Sequence, residues 1–169
     1  MKAEERRQII AQTLTADKAI SATALAGKFS VSRQIIVGDI ALLRAGGLDI
    51  AATPRGYMVQ RSPAGLVRRV AVRHDGQAME AELNAMVDQG CTVLDVTVEH
   101  PVYGEITAPL QLSCRHDVDE FVRKMLENAA QPLSLLTEGI HGHRLSVPSE
   151  EAFQRVQETL RQKGMLLEG

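Results

Sequence analysis

Two histidines, His141 and His143, lie one residue apart in the segment IHGHRL near the end of the chain. Alternate residues of a β-strand point to the same face, so a strand here would offer both imidazoles to one ligand without distorting the backbone. Neutral imidazole nitrogens are common ligands of late first-row transition metals. The spacing therefore indicates a metal site on a strand.

Further candidate ligands lie earlier in the chain. His74 ends a predicted strand, and Glu80 and Glu82 lie on the predicted helix that follows it. Three histidines with one carboxylate would suit Zn²⁺, Ni²⁺ or a similar divalent transition metal. Helical periodicity does not choose between the glutamates, because at about 100° per residue they flank the apolar stripe by similar angles. We expect one to face the histidines and the other to face solvent.

A second set of residues points to nucleic acid. Ser32, Arg33 and Gln34 begin a predicted helix directly after a short turn, and Arg55 lies in the turn TPRG. The first residues of such a helix reach base edges in the major groove, where Arg favours guanine and Gln favours adenine. Arg55 would reach phosphate or the minor groove. These four residues are the predicted contacts to double-stranded DNA.

The elements around these contacts follow a recognisable order. Helical spacing predicts helices over residues 4–14 and 22–29, and a third helix between Ser32 and the glycines of AGG. Two short strands, residues 48–50 and 56–59, flank the TPRG turn. Three helices followed by a hairpin predict a winged helix-turn-helix.

Composition limits the classes of function. The 169 residues suit one domain or two small ones, and the absence of a long apolar run predicts a cytoplasmic protein without a membrane partner. Lys and Arg exceed Asp and Glu by eight to five in residues 1–60, whereas acids exceed bases by sixteen to eleven afterwards. This asymmetry favours a phosphate-facing first module. Cys91 and Cys114 are expected to be buried strand residues of a reducing compartment.

The hydrophobic pattern changes at the junction SPAG, which divides the chain into domains 1–62 and 63–169. The second domain is predicted to be a two-layer α/β sandwich with helices on one face of a mostly antiparallel sheet, which makes the chain α+β. The predicted strands are residues 67–74, 93–98, 105–112, 133–136 and 140–145, and the predicted helices are residues 77–89, 117–128 and 149–163.

Several stretches together resemble a known family. They are FSVSRQIIVGDIALLRAGG and TPRGYMV at the front, then RHDGQAMEAEL, MVDQGCTVLDVTVEHPVYGEI and LTEGIHGHRL. The chain resembles the nicotinate-responsive repressors of NAD biosynthesis and niacin uptake, in which a winged helix precedes a "3H" domain named for its histidines. The resemblance implies a homodimer on a palindromic operator, nicotinic acid as corepressor and a phosphocarrier-like second domain.

The resemblance also implies a metal site of His74, Glu82, His141 and His143, and so selects Glu82 where periodicity did not. Gly142 departs from the family pattern, because a bulkier apolar residue is expected between the paired histidines. We expect the carboxylate or pyridine nitrogen of nicotinate to complete the coordination of the metal. His100 and Tyr103 are expected to line the effector pocket, and Arg144 to offset the carboxylate charge.

Two other functions compete with this interpretation. A metal held by His and Glu can activate water, so the chain could be a metal-dependent enzyme acting on a small pyridine carboxylate. No separate base or nucleophile accompanies the histidines in the sequence, which disfavours that alternative. Trihelical segments also serve as protein-interaction modules, in which case the metal would be structural.

Overall fold

Two units make up the chain, Met1–Ser62 and Pro63–Gly169. The computed structural model describes residues 1–60 and 65–168. The predicted junction SPAG therefore lies, apart from Gly65, outside the described residues. Among the helices in the described part, none has the length and apolar character needed to cross a membrane.

The first unit has the predicted winged helix-turn-helix elements. Its helices are α1 (Ala3–Thr13), α2 (Ala22–Phe29) and α3 (Arg33–Ala45), and its antiparallel hairpin consists of β1 (Ile50–Thr53) and β2 (Gly56–Val59). The first wing strand was predicted too early, at residues 48–50. The strand instead begins at Ile50, which pairs with Val59. The same register pairs Thr53 with Gly56 at the turn.

Serine hydroxyls begin the two helices that form the helix-turn-helix. Ser21 Oγ accepts from Ala24 N at 3.0 Å, and Ser32 Oγ accepts from Ile35 N at 3.2 Å. Such caps satisfy amides that have no partner within the helix. Ser30 between the helices has φ 53°, which makes the turn sharp. The sequence therefore fixes where α3 starts, and with it the position of Arg33 and Gln34.

Burial holds α3 against the rest of this unit. Ile36 and Ile40 are fully buried and pack in one apolar cluster with Ile10 and Leu25. The buried carboxylate of Asp39 accepts from Arg6 Nε at 2.6 Å, which ties α3 to α1. The opposite side of α3 is left exposed, so this helix can present side chains to a partner.

The second unit is a four-stranded antiparallel sheet covered by helices, as predicted for an α+β chain. The strands β3 (Leu66–Arg73), β4 (Thr92–His100), β5 (Gly104–Leu112) and β6 (Ile140–Val147) lie in the order β3-β6-β4-β5. The helices are α4 (Met79–Val87), α5 (Arg115–Glu127) and α6 (Glu150–Gln162). Side chains from all three helices join one strand face in the core, whereas the other sheet face is open.

Two local predictions for this unit are wrong. Residues 133–136 were predicted as a strand, but Leu133–Thr137 is a 3-10 helix. Pro132 starts it with extended backbone, and Gly139 N donates back to Ser134 O at 2.8 Å, which closes the turn. Cys114 is exposed at the N-cap of α5 rather than buried in a strand, whereas Cys91 is buried.

Candidate functional site

Three elements bring the candidate metal ligands together on the helix-covered side of the sheet. His74 follows β3 directly, Glu82 lies on α4, and His141 and His143 alternate along β6. β6 pairs with β3 so that His141 is opposite Val72 and His143 is opposite Val70, both of which face the core. The paired histidines are therefore interior side chains and not members of an exposed strand face.

The imidazoles converge on one carboxylate. His141 Nε2 lies 2.9 Å and His143 Nε2 lies 2.7 Å from Glu82 Oε1, while His74 Nε2 contacts the other oxygen, Oε2. Glu82 is 1% exposed. Glu80, two residues earlier on α4, is exposed. The fold thus distinguishes the two glutamates that the helical pattern left equivalent.

Backbone carbonyls orient the three rings. The Nδ1 atoms face Asp75 O for His74, Gly139 O at 2.9 Å for His141 and Asp95 O at 2.7 Å for His143. A carbonyl can only accept, so each neutral ring carries its proton on Nδ1, an assignment made from the hydrogen-bond network. All three Nε2 lone pairs are then directed at the same small volume, which is the arrangement that metal-binding histidines require.

The charges in the cluster are strongly coupled. Burial would raise the pKa of Glu82, but the charge of His143 and the close contacts of the carboxylate with all three histidines outweigh it and hold that pKa well below its usual range. Burial would lower the pKa of His143, yet the Glu82 carboxylate raises it above its ordinary value. The same opposition raises the pKa of His74. Glu82 is therefore an ionised carboxylate at neutral pH.

The donor set fits a transition metal. His74, Glu82 and His141 offer ligand atoms that all lie within 4.8 Å of one another. His143 Nε2 is buried and has no hydrogen bond of acceptable geometry, although it lies 2.7 Å from Glu82 Oε1. A buried polar atom without a hydrogen bond is costly, and a metal ion would satisfy it. Imidazole with carboxylate is a donor set that Zn²⁺ and Ni²⁺ accept.

The first unit exposes the residues predicted to contact DNA. Ser32 caps α3, and the side chains of Arg33 and Gln34 are exposed in its first turn. Arg55 is exposed in the turn of the wing. This turn is braced by Thr53, whose hydroxyl donates to Gly56 O at 2.9 Å. A groove-entering helix and a flanking hairpin can contact bases and backbone at the same time.

Comparison with known proteins identifies the family. A model of the 3H domain matches residues 67–169, and a model of an HTH domain matches residues 5–58. The probable transcription repressor NiaR of Thermotoga maritima is 42% identical over 166 residues, which span 98% of this chain and 95% of that protein. The chain belongs to the family of HTH–3H transcription repressors. The transcription repressor NadR of Bacillus subtilis is 37% identical over 171 residues, spanning 99% of this chain and 95% of that protein.

The predicted effector residues of this HTH–3H repressor do not gather around the histidine cluster. His100 and Tyr103 lie at the hairpin between β4 and β5, where their rings are 4.9 Å apart and Tyr103 is 78% exposed. Arg144 neighbours His143 in sequence but lies on the open sheet face, where its Nε donates to Asp95 Oδ2 at 2.6 Å. Their role in effector binding stays a prediction.

The residues that orient the HTH–3H histidines carry almost no signal in the sequence. Asp75, Asp95 and Gly139 act through main-chain carbonyls, so their side-chain types gave no indication of that role. Gly139 offered one usable signal, since a glycine just before a β-strand often marks a backbone conformation that other residues avoid. Its φ is +89°, and a Cβ at this position would lie 2.4 Å from His74 O.

We expect Gly139→Ala to weaken metal binding without removing a ligand. The added methyl group would push the backbone of His74 away and displace the carbonyl that orients His141. Isothermal titration with Zn²⁺ should give an affinity at least about tenfold lower than wild type, the scale of losing a group that orients a ligand. Gly164→Ala is the matched control, because Gly164 also has positive φ, +72°, but open space around a Cβ. Equal affinities for the two variants would contradict the assigned role.

The stabilisation by metal is expected to grow with pH. Without metal, the raised pKa values of His74 and His143 stabilise the fold below their ordinary pKa of 6.5, and this contribution is lost as pH rises through the raised values. Metal binds the neutral rings, so the stability that bound metal adds to the fold increases as pH rises. The difference in thermal midpoint between metal-loaded and chelated protein should be small at about pH 5.5 and large at about pH 8. A difference that shrinks toward high pH would contradict this account.

Proposed function

We propose that the chain represses genes of NAD biosynthesis or niacin uptake, with nicotinic acid as corepressor. The winged first unit, residues 1–62, is the proposed DNA-binding domain, and residues 63–169 form the proposed metal-binding, effector-binding and dimerisation domain. The resemblance of both parts to nicotinate-responsive repressors supports this proposal. The observation that carries it is the convergence of three histidine Nε2 atoms on the buried carboxylate of Glu82.

The proposed metal ligands are His74, Glu82, His141 and His143, and the proposed ion is Zn²⁺ or Ni²⁺. The ion would supply a Lewis-acidic position for the carboxylate or pyridine nitrogen of nicotinate. The chain itself contributes orientation, because backbone carbonyls hold each ring. It also contributes charge, since one ionised Glu82 leaves a bound divalent cation with net positive charge that attracts an anionic effector.

The proposed link from effector to DNA is thermodynamic. A homodimer would place two α3 helices on the two halves of a palindromic site, about 34 Å apart. Nicotinate raises operator affinity only to the extent that it binds the DNA-competent form of that dimer more tightly. Its action as corepressor is therefore measurable as reciprocal coupling: DNA must raise the affinity for nicotinate by the same factor.

Thermal-shift screening tests the effector directly. The full chain is heated with nicotinate, nicotinamide or NAD, each with and without a chelator. We expect nicotinate to raise the unfolding midpoint when metal is present and to lose that effect with the chelator, because only nicotinate among the three combines a free carboxylate with the pyridine ring. An equal shift with nicotinamide, or a nicotinate shift that survives chelation, would contradict the proposed role of the metal.

A further inference from the structure

The strand β4 is irregular around Asp95, beside the histidine cluster. Its pairing with β6 shifts register between Val93 and Thr97, and its pairing with β5 shifts register between Val93 and Asp95. Asp95 is 1% exposed, and a buried carboxylate is costly unless it is hydrogen-bonded or paired with a charge. The partners of this carboxylate therefore account for its burial.

The Asp95 side chain acts as an acceptor for the neighbouring strand. In a regular antiparallel pair, strand amides donate to main-chain carbonyls of the adjacent strand. Here Arg144 N on β6 donates to a side-chain oxygen, Asp95 Oδ1, at 3.1 Å, and Arg144 Nε donates to Oδ2 at 2.6 Å. One residue of β6 thus engages both carboxylate oxygens, and the contact is charge-assisted.

The main-chain carbonyl of Asp95 accepts from a histidine ring. His143 Nδ1 lies 2.7 Å from Asp95 O in a buried contact. On β5, Asp95 pairs with Pro109, and a proline has no N–H to donate. The shift in register, the side-chain acceptor and Pro109 together allow this carbonyl to orient His143.

The other two rings of the cluster are oriented by carbonyls outside the strands. Asp75 O faces His74, and Gly139 O faces His141. The ring of His143 is instead oriented by a carbonyl within β4, where such groups ordinarily bond to a neighbouring strand. The position of this ring therefore depends on the contacts that keep β4 irregular.

We infer that Asp95 and Arg144 are positioning residues for the metal ligand His143. Their paired side chains fix the irregular segment of β4, and the Asp95 carbonyl then holds Nδ1 of the ring. This leaves Nε2 directed at the metal position beside Glu82. The Arg144 side chain is 35% exposed on the open face, yet it influences a ligand in the core on the other side of the sheet. The inference rests on the metal centre of the proposed function and names residues that support it.

Metal titrations of the full chain test this assignment. Zn²⁺ affinity is measured by competition with a chromophoric chelator for Asp95→Ala and Arg144→Met, separately and combined. We expect Asp95→Ala to lower the affinity at least about tenfold, because both oxygens that Arg144 contacts are lost. Arg144→Met should cause a smaller loss, since the main-chain amide can still donate to Asp95. The double variant should bind no more weakly than Asp95→Ala alone, because both changes disrupt one contact.

Two neighbouring charges on the same sheet face provide matched controls. Arg69→Met removes a guanidinium directly opposite Arg144 on β3, and Glu99→Ala removes a carboxylate from the same strand as Asp95. Both side chains are exposed, so we expect both variants to bind Zn²⁺ as wild type does. Losses in these controls equal to those in the test variants would assign the effect to the charge of the whole face and overturn the inference.

A spectroscopic readout separates positioning of the ring from general support of the fold. A proton held between His143 Nδ1 and Asp95 O exchanges slowly with solvent, so it gives its own proton resonance in the Zn²⁺-loaded chain. We expect Asp95→Ala to shift or broaden that resonance while the resonance of the His141 ring remains. If Asp95→Ala does not fold, the same comparison is made with Arg144→Met, which leaves the buried carboxylate in place. A lower unfolding midpoint with unchanged affinity and an unchanged His143 resonance would overturn the inference.

The wild type judges the proposed function separately from the inference. A wild-type chain that binds neither Zn²⁺ nor Ni²⁺ would contradict the proposed metal centre, and the inference with it. Metal binding by the wild type that Asp95→Ala and Arg144→Met leave unchanged would overturn the inference alone.

Discussion

Replacing Glu82 with glutamine should lower the affinity for Zn²⁺ or Ni²⁺ at least about 100-fold, beyond the loss seen for groups that only orient a ligand. The amide has nearly the shape of the carboxylate but no charge to balance the cation. Three imidazole nitrogens would then surround a neutral group at a position that is 1% exposed. Competition with a chromophoric chelator at neutral pH measures the change.

Glu80→Gln is the matched control for this result. It removes the same charge from the same helix, two residues away, but Glu80 is exposed. We expect its metal affinity to equal that of wild type. Similar losses for both variants would mean that the negative charge carried by α4, and not coordination by Glu82, sets the affinity for metal. Unchanged affinity for Glu82→Gln would remove this carboxylate from the site.

Replacing Arg33 with alanine should have the largest effect on DNA binding. A bidentate Arg contact to a base is worth about 1–3 kcal/mol, so affinity for a preferred sequence should fall roughly 5- to 150-fold. Fluorescence anisotropy at one fixed salt concentration measures this on DNA that the full chain has selected from a random pool. Arg123→Ala on α5 of the second unit is the charge-matched control and should leave the affinity unchanged.

The way in which the loss of affinity depends on DNA sequence distinguishes a contact with a base from general electrostatic attraction to DNA. Arg33→Ala should flatten the preference at one base position, because the lost contact is to a base edge. Arg55→Ala should instead weaken binding to all sequences alike and reduce its dependence on salt, since its predicted contact is to phosphate or a narrow groove. A uniform loss from Arg33→Ala would show that it also contacts only the backbone.

The helix starts and the wing turn of the first unit were predictable from sequence because they depend on local chemistry. Ser21 and Ser32 accept hydrogen bonds at the helix starts, where serine is one of the preferred residues. Gly56 has φ +131°, and its backbone approaches Ile20 so closely that no other residue fits. In the second unit, Leu133–Thr137 was misassigned because an apolar run of that length suits a strand as well as a short helix. Pro132 and the turn at Gly139 decide between them.

The residue types of the candidate site were predictable from sequence, but the main-chain groups that orient its side chains were not. The His-x-His spacing indicates two rings on one strand face, and that is how His141 and His143 lie on β6. Periodicity left Glu80 and Glu82 equivalent, because the choice depends on how α4 is rotated against the sheet. The carbonyls of Asp95 and Gly139 that orient the rings come from remote or non-repetitive segments, and main-chain groups carry no sequence signal.

A mobility-shift titration of selected DNA at fixed salt tests the central claim that this metal centre senses nicotinate. Nicotinate should strengthen DNA binding by the metal-loaded wild type, and chelation or Glu82→Gln should abolish that gain while leaving effector-free binding intact. Arg33→Ala should weaken binding with and without nicotinate. Equal enhancement by nicotinate in the wild type, the chelated protein and Glu82→Gln would contradict the account.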